Sequence, residues 1–245
     1  MKKLYKRNEL LFALCWIGVY VVGLSIADGV SEAIGLQKSI TVVACLALSG
    51  VLLGWMRKIG LTAHYGLCKP TVPASRLLYY APLAVLVSVN LWYGVVMQLS
   101  PVETALYIVS MLLVGLLEEL IFRGLLFRAM SKDNVKTAVI VSSVTFGIGH
   151  IVNLLNGAAL LSNLLQVVYA VAAGFLFTIL FIRTGSLLAC IATHSALNAL
   201  SVFANEAAQT PAAEILTALA LTVVSSLYAL YILKHTDAKQ ASPTP

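Results

Sequence analysis

Eight apolar segments make up most of this chain, at about residues 10–27, 39–56, 77–97, 104–129, 135–153, 158–182, 185–204 and 212–233. Coiled as a helix, each reaches roughly the 30 Å of a bilayer's hydrocarbon core. The residues are 60% hydrophobic and only 11% charged, against about a quarter charged in soluble domains. No segment keeps the period-two alternation of a barrel strand; "ILTALALTVVSSLYALYIL" is a clear case. The expected fold class is therefore all-α, a polytopic membrane protein with about eight transmembrane helices. No internal repeat is visible.

The basic residues fall on one side of these segments. Lys2, Lys3, Lys6 and Arg7 precede the first, and Arg57, Lys58, Lys69 and Arg76 follow the second. Arg128, Lys132 and Lys136 follow the fourth, Arg183 the sixth, and Lys234 and Lys239 the eighth. The other side receives Lys38, beside Asp28, Glu32, Glu103, Glu206 and Glu214. By the positive-inside rule both termini are expected in the cytoplasm. Fourteen of the sixteen basic residues fit that reading, Lys38 opposes it, and Arg123 belongs to neither side. The net charge of +6 thus follows from membrane topology, and no nucleic-acid partner is implied.

Cys15, Cys45, Cys68 and Cys190 form no close pair, which argues against a disulfide framework or a structural zinc site. They are expected to be small buried hydrophobes. The N-terminal apolar run, at about eighteen residues, is longer than the ~7–15 of a signal-peptide core, so a retained first helix is expected. In the polar loop 57–76, His64 is expected to be solvated. The tail 234–245 is expected to be disordered.

Within the fourth segment stands "LLEELIFRGLLF", residues 116–127. Ionisable groups at membrane depth cost several kcal/mol unless paired or wet, and so they suggest function. Glu119 and Arg123 are four apart, in the favourable acid-before-base order for an ion pair. Glu118 diverges from them by about 100° and shares its face with Phe122, which leaves it without a built-in partner. In "VTFGIGH", Phe146 and His150 share a face, with Gly147 and Gly149 allowing close helix approach. In "CIATHSALNAL", His194 and Asn198 are again four apart. Counted from the cytoplasmic ends, Glu118, His150 and His194 lie roughly 14–20 Å deep at 1.5 Å per residue, so they can meet.

Two chemistries are open to such a meeting. A glutamate and a histidine can hold a water and remove its proton, while a second histidine and an asparagine donate to the resulting oxyanion. Alternatively Glu118, His150 and His194 can ligate zinc, since two histidines and a carboxylate with an open position form a catalytic set. No H-E-x-x-H signature is present, so a metal site would be assembled from three helices. Ser195, beside His194, points off that histidine's face and is not a candidate nucleophile.

The order E-E-x-x-x-R (Glu118 to Arg123), F-x-x-x-H (Phe146 to His150) and H-x-x-x-N (His194 to Asn198) resembles the CAAX protease and bacteriocin-processing family of intramembrane proteases. The resemblance covers about residues 104–204. It divides the chain into N-terminal helices (1–103), a catalytic core (104–204), a C-terminal span (205–233) and a cytoplasmic tail (234–245). It implies an endopeptidase in which Glu118 and His150 activate water and His194 and Asn198 face the substrate carbonyl. Glu119, Arg123 and Phe146 would support them, and one divalent metal, zinc, is a possible cofactor. The implied partners are the lipid bilayer and a membrane-embedded or lipidated peptide or protein substrate. Two other readings use the same helices: a non-enzymatic immunity or scaffold protein, and a proton-coupled transporter. The latter is weakened by the lack of matching proline-interrupted halves.

Overall fold

The computed structural model describes residues 1–155 and 157–237. Its helices are α1 (Lys2–Arg7), α2 (Glu9–Ile34), α3 (Ser39–Lys58), α4 (Ala81–Ser88), α5 (Pro101–Glu118), α6 (Arg128–Ser131), α7 (Val135–Gly149), α8 (Leu160–Thr184), α9 (Leu188–Leu200) and α10 (Pro211–His235). Among the described residues there is no strand, only an isolated bridge between Val95 and Ala204. The fold is all-α and polytopic. Seven helical stretches are long and apolar enough to cross a membrane, and an eighth, Leu188–Phe203, is shorter.

Local sequence sets the helix starts. Ser100 and Glu103 cap α5 reciprocally and Pro101 opens it, the arrangement that satisfies otherwise orphaned N–H groups. Asn8, Asn134 and Thr210 cap α2, α7 and α10 by accepting from Leu11, Thr137 and Ala213.

Two segments depart from the continuous helices expected. Residues 77–97 do not form one regular helix: the stretch long enough to cross is Ala74–Leu91, and it is kinked. Leu78, Tyr79 and Tyr80 take left-handed φ values of 50°, 51° and 61°, α4 begins beside Pro82, and the helix has ended by Leu91. Proline cannot supply the N–H a helix interior needs and disfavours helical geometry before it. The Leu77 carbonyl at the break accepts from the Tyr228 hydroxyl at 2.6 Å. The second departure lies in the fourth segment. After Glu118 the helix widens into a π-helix, Glu119–Phe127, every residue of which is buried.

The cysteines divide. Cys45 and Cys190 are buried as expected, but Cys15 is exposed on the outer side of α2 and Cys68 is half-buried. His64 is half-buried against the Tyr65 ring at 4.9 Å rather than solvated. Burial, then the nearby Arg128 guanidinium, pushes its pKa below the ordinary histidine value. Lys234 and His235 close α10, whereas residues 238–245, on which most of the expected disordered tail falls, lie outside the described residues.

Candidate active site

Helix approach is what brings the ionisable groups together. A Cβ on Gly115 would lie 2.6 Å from the backbone nitrogen of Ser195, so α5 and α9 touch backbone to backbone. One on Gly147 would fall on a Val171 methyl and lie 2.8 Å from the Val171 nitrogen, so α7 is pressed equally close to α8. Small residues at helix crossings permit this. Gly149, expected to act in the same way, meets no neighbour and borders a cavity instead.

Glu119 and Arg123 pair as their spacing predicts, at 3.0 Å, and both side chains have no exposure. The same Glu119 oxygen, Oε1, also meets His194 Nδ1 at 2.9 Å. The Arg123 guanidinium lies over the Phe146 ring, 4.1 Å from its centre, a favourable cation–π contact. Phe146 also meets His150 and His194 edge-on, at 5.1 and 5.4 Å between ring centres. It is the apolar hub on which the three polar residues rest.

Glu118 is not without partners. Tyr20 donates its hydroxyl proton to Glu118 Oε1 at 2.8 Å, and His194 Nε2 lies 3.2 Å from Oε2. His194 is therefore clamped between two carboxylates. Nδ1 donates to Glu119, whose carboxylate can only accept, and Nε2 faces the second carboxylate. Tyr20 escaped sequence reasoning because it lies far from the motifs. The available signal was the single tyrosine of the first apolar segment, since a buried tyrosine needs a partner.

His150 begins a short 3-10 turn after α7. Its Nδ1 lies 3.1 Å from the Phe146 carbonyl, and because a carbonyl only accepts, Nδ1 carries the proton and a neutral ring has Nε2 free as an acceptor. Asn163, fully buried, donates to the His150 backbone carbonyl at 2.8 Å and holds the turn in place. Among the described residues the Asn198 side-chain amide makes no hydrogen bond. Ser195 donates to the Leu112 carbonyl at 2.8 Å, which commits it to joining α9 and α5.

Glu118, Phe146, His150, His194 and Asn198 all line one cavity of about 400 Å³. The adjacent glutamates differ in access to it: the Glu118 side chain is 13% exposed and the Glu119 side chain 0%. A zinc ion held by Glu118, His150 and His194 does not fit this arrangement. Among the described residues no three His, Cys, Asp or Glu side chains gather as a metal site. His194 Nε2 faces Glu118 Oε2 at 3.2 Å, while His150 keeps Nε2 free.

Residues 100–200 match the family model of the type II CAAX prenyl endopeptidases, Rce1-like. Over this stretch, less than half of the chain, the protein is similar to the CAAX prenyl endopeptidases. The match begins at the cap of α5 and ends with α9, so it takes in all three motifs of the CAAX-protease segment but not Tyr20. At the level of the family the activity is proteolysis and the setting is the membrane. No curated protein matches the chain.

Proposed function

We propose that the protein is an intramembrane endopeptidase that hydrolyses peptide bonds of a membrane-associated substrate with water activated by Glu118 and His150. The observation that carries this reading is the unequal access of the two adjacent glutamates, one opening on the cavity and one sealed beneath it. Glu119, Arg123 and Phe146 then form the base on which the reacting groups stand.

In the proposed reaction a water bound between Glu118 and His150 Nε2 gives a proton to the Glu118 carboxylate. Its oxygen attacks the scissile carbonyl carbon, and the carbonyl oxygen becomes an oxyanion. Asn198, with its amide unspent, donates to that oxyanion. The C–N bond breaks as Glu118 returns the proton to the departing amine, leaving one new carboxyl and one new amino terminus. His194 keeps Glu118 in place from below, so its part is in holding the base rather than in meeting the oxyanion directly.

Both chain termini are assigned to the cytoplasm in this reading, on the strength of the basic residues gathered at one end of the bundle. Lys38, which opposes the assignment, forms an ion pair with Asp28 at 2.8 Å and so brings little net charge to its side.

The test is cleavage of an internally quenched peptide library by purified protein in detergent, wild type against Glu118→Gln, with and without a chelator. Cleavage by the wild type, with the variant inert and the chelator without effect, is the expected result. Equal turnover by the variant would remove Glu118 from the reaction.

A further inference from the structure

The cavity does not reach the end of the bundle where the basic residues lie. It runs the other way. Besides the groups around Glu118, its lining takes in Asp28, Lys38, Tyr107, Asn153 and Ser201, and none of these belongs to a basic loop. Tyr107 stands eleven residues before Glu118 on α5, about 16 Å along a helix. At that end the Glu103 carboxylate accepts from the Gln37 backbone nitrogen at 3.2 Å, and Tyr107 and Ser201 share a hydrogen bond of 2.9 Å. Polar side chains therefore line the path from this mouth inward.

The opposite half of the bundle is filled. Leu126, Leu180, Phe181 and Leu187 are at most 1% exposed, and Tyr65 and Phe127 at most 3%. The loop between α3 and α4 folds into this layer: a Cβ on Gly66 would lie 2.6 Å from the Phe181 ring and 2.8 Å from Leu187. The Leu187 nitrogen donates to the Gly66 carbonyl at 2.8 Å, so the loop is stitched to the start of α9. Arg128 covers the Phe181 ring at 4.6 Å. Nothing the size of a peptide passes such a layer without unpacking it.

We infer that the site is entered from the face opposite the basic residues, which by the positive-inside rule is the extracytoplasmic one. The substrate is then a peptide segment presented on the outer side of the membrane, such as an exported chain or the outer juxtamembrane part of a membrane protein. A chain end offered from the cytoplasm would meet the packed layer. The inference rests on the protease reading for the word substrate, but the direction of entry stands on packing and charge.

Single cysteines test the direction. Lys38→Cys reports the mouth, Met111→Cys the middle of the path, Asn198→Cys the depth and Lys136→Cys the basic end. A membrane-impermeant maleimide is applied to right-side-out and inside-out vesicles, and labelled positions are read by peptide mass spectrometry, which separates them from the native cysteines. Labelling of positions 38, 111 and 198 from the outside only, with position 136 labelled from the inside only, is expected. Labelling of 111 and 198 from the inside, or from neither side, would overturn the inference. If detergent-solubilised wild type cleaves a library peptide, that peptide should be cut when added to right-side-out vesicles and spared by inside-out ones. The reverse would equally overturn the inference. Absence of cleavage in detergent would instead sink the protease reading and leave the labelling result to decide direction alone.

Discussion

His194 Nδ1 sits 2.9 Å from Glu119 Oε1, the oxygen that also receives Arg123. One buried atom thus anchors both the helix that carries the motif glutamates and the helix that carries His194. Glu119→Gln leaves Arg123 buried without its counter-charge, a change that typically costs about 3–5 kcal/mol. The expected outcome is a large fall in the melting temperature of the purified protein and poor expression. Turnover per folded molecule should also fall, because a neutral amide holds His194 less strongly than the carboxylate does. A melting temperature equal to wild type would show that the pair contributes nothing to stability.

Glu118→Gln is expected to behave oppositely. The amide keeps the shape and can still accept from Tyr20, so the variant should fold and insert, but it cannot take a proton from water. Thermal unfolding and peptide cleavage on one preparation separate the two glutamates: stability is lost at 119, chemistry at 118.

Asn198→Ala removes a side chain that makes no hydrogen bond among the described residues. Its melting temperature should stay near wild type. Losing one oxyanion donor typically costs about 10²–10³ in turnover, and the loss should appear in kcat with KM little changed. A variant that cleaves normally once corrected for folded fraction would remove Asn198 from the oxyanion role.

Tyr20→Phe deletes one hydroxyl bonded to the Glu118 carboxylate. A hydrogen bond to a charged group contributes about 1.5–3 kcal/mol, so a turnover loss of roughly 10- to 100-fold is expected if the bond orients the base. Tyr20→Trp, which restores a donor but not its position, should fail to rescue. Unchanged turnover in Tyr20→Phe would make the contact merely structural.

His64 makes stability depend on pH. Its folded-state pKa is lowered by burial, while the unfolded chain titrates near about 6.5. Below that value the unfolded chain binds the proton more readily, so stability is complete above it and is lost as pH falls toward the folded value. Melting temperatures measured from about pH 7.5 down to pH 5 should drop more for wild type than for His64→Asn. Parallel curves would show that other groups govern the acid limb.

Most of the fold was legible because spanning helices announce themselves by length and apolarity, and residues four apart on a helix must share a face. The Glu119–Arg123 pair and the edge-on contact of His150 with Phe146 followed from that spacing alone. What the spacing could not convey was contact between distant helices. Tyr20 meets Glu118 across ninety-eight positions of sequence, and His194 is held by both glutamates although only one was expected to be occupied. Apolarity was also silent on backbone irregularity: Leu78 to Tyr80 are as oily as a helix needs, and it is Pro82 and the left-handed turn that break the segment. The π-helix at Glu119–Phe127 has no compositional signature.

The helix that carries His194 and Asn198 is α9, which with its 3-10 extension runs Leu188–Phe203, about 25 Å against the roughly 30 Å of hydrocarbon around it. Its short length creates a hydrophobic mismatch beside the reacting groups, and the surrounding lipid must thin, or its neighbours tilt, to cover the difference. The acyl-chain length of the host membrane then becomes a variable of the reaction. In proteoliposomes of graded chain length, thin bilayers would relieve the deformation and thick ones would press on the one helix that carries both residues.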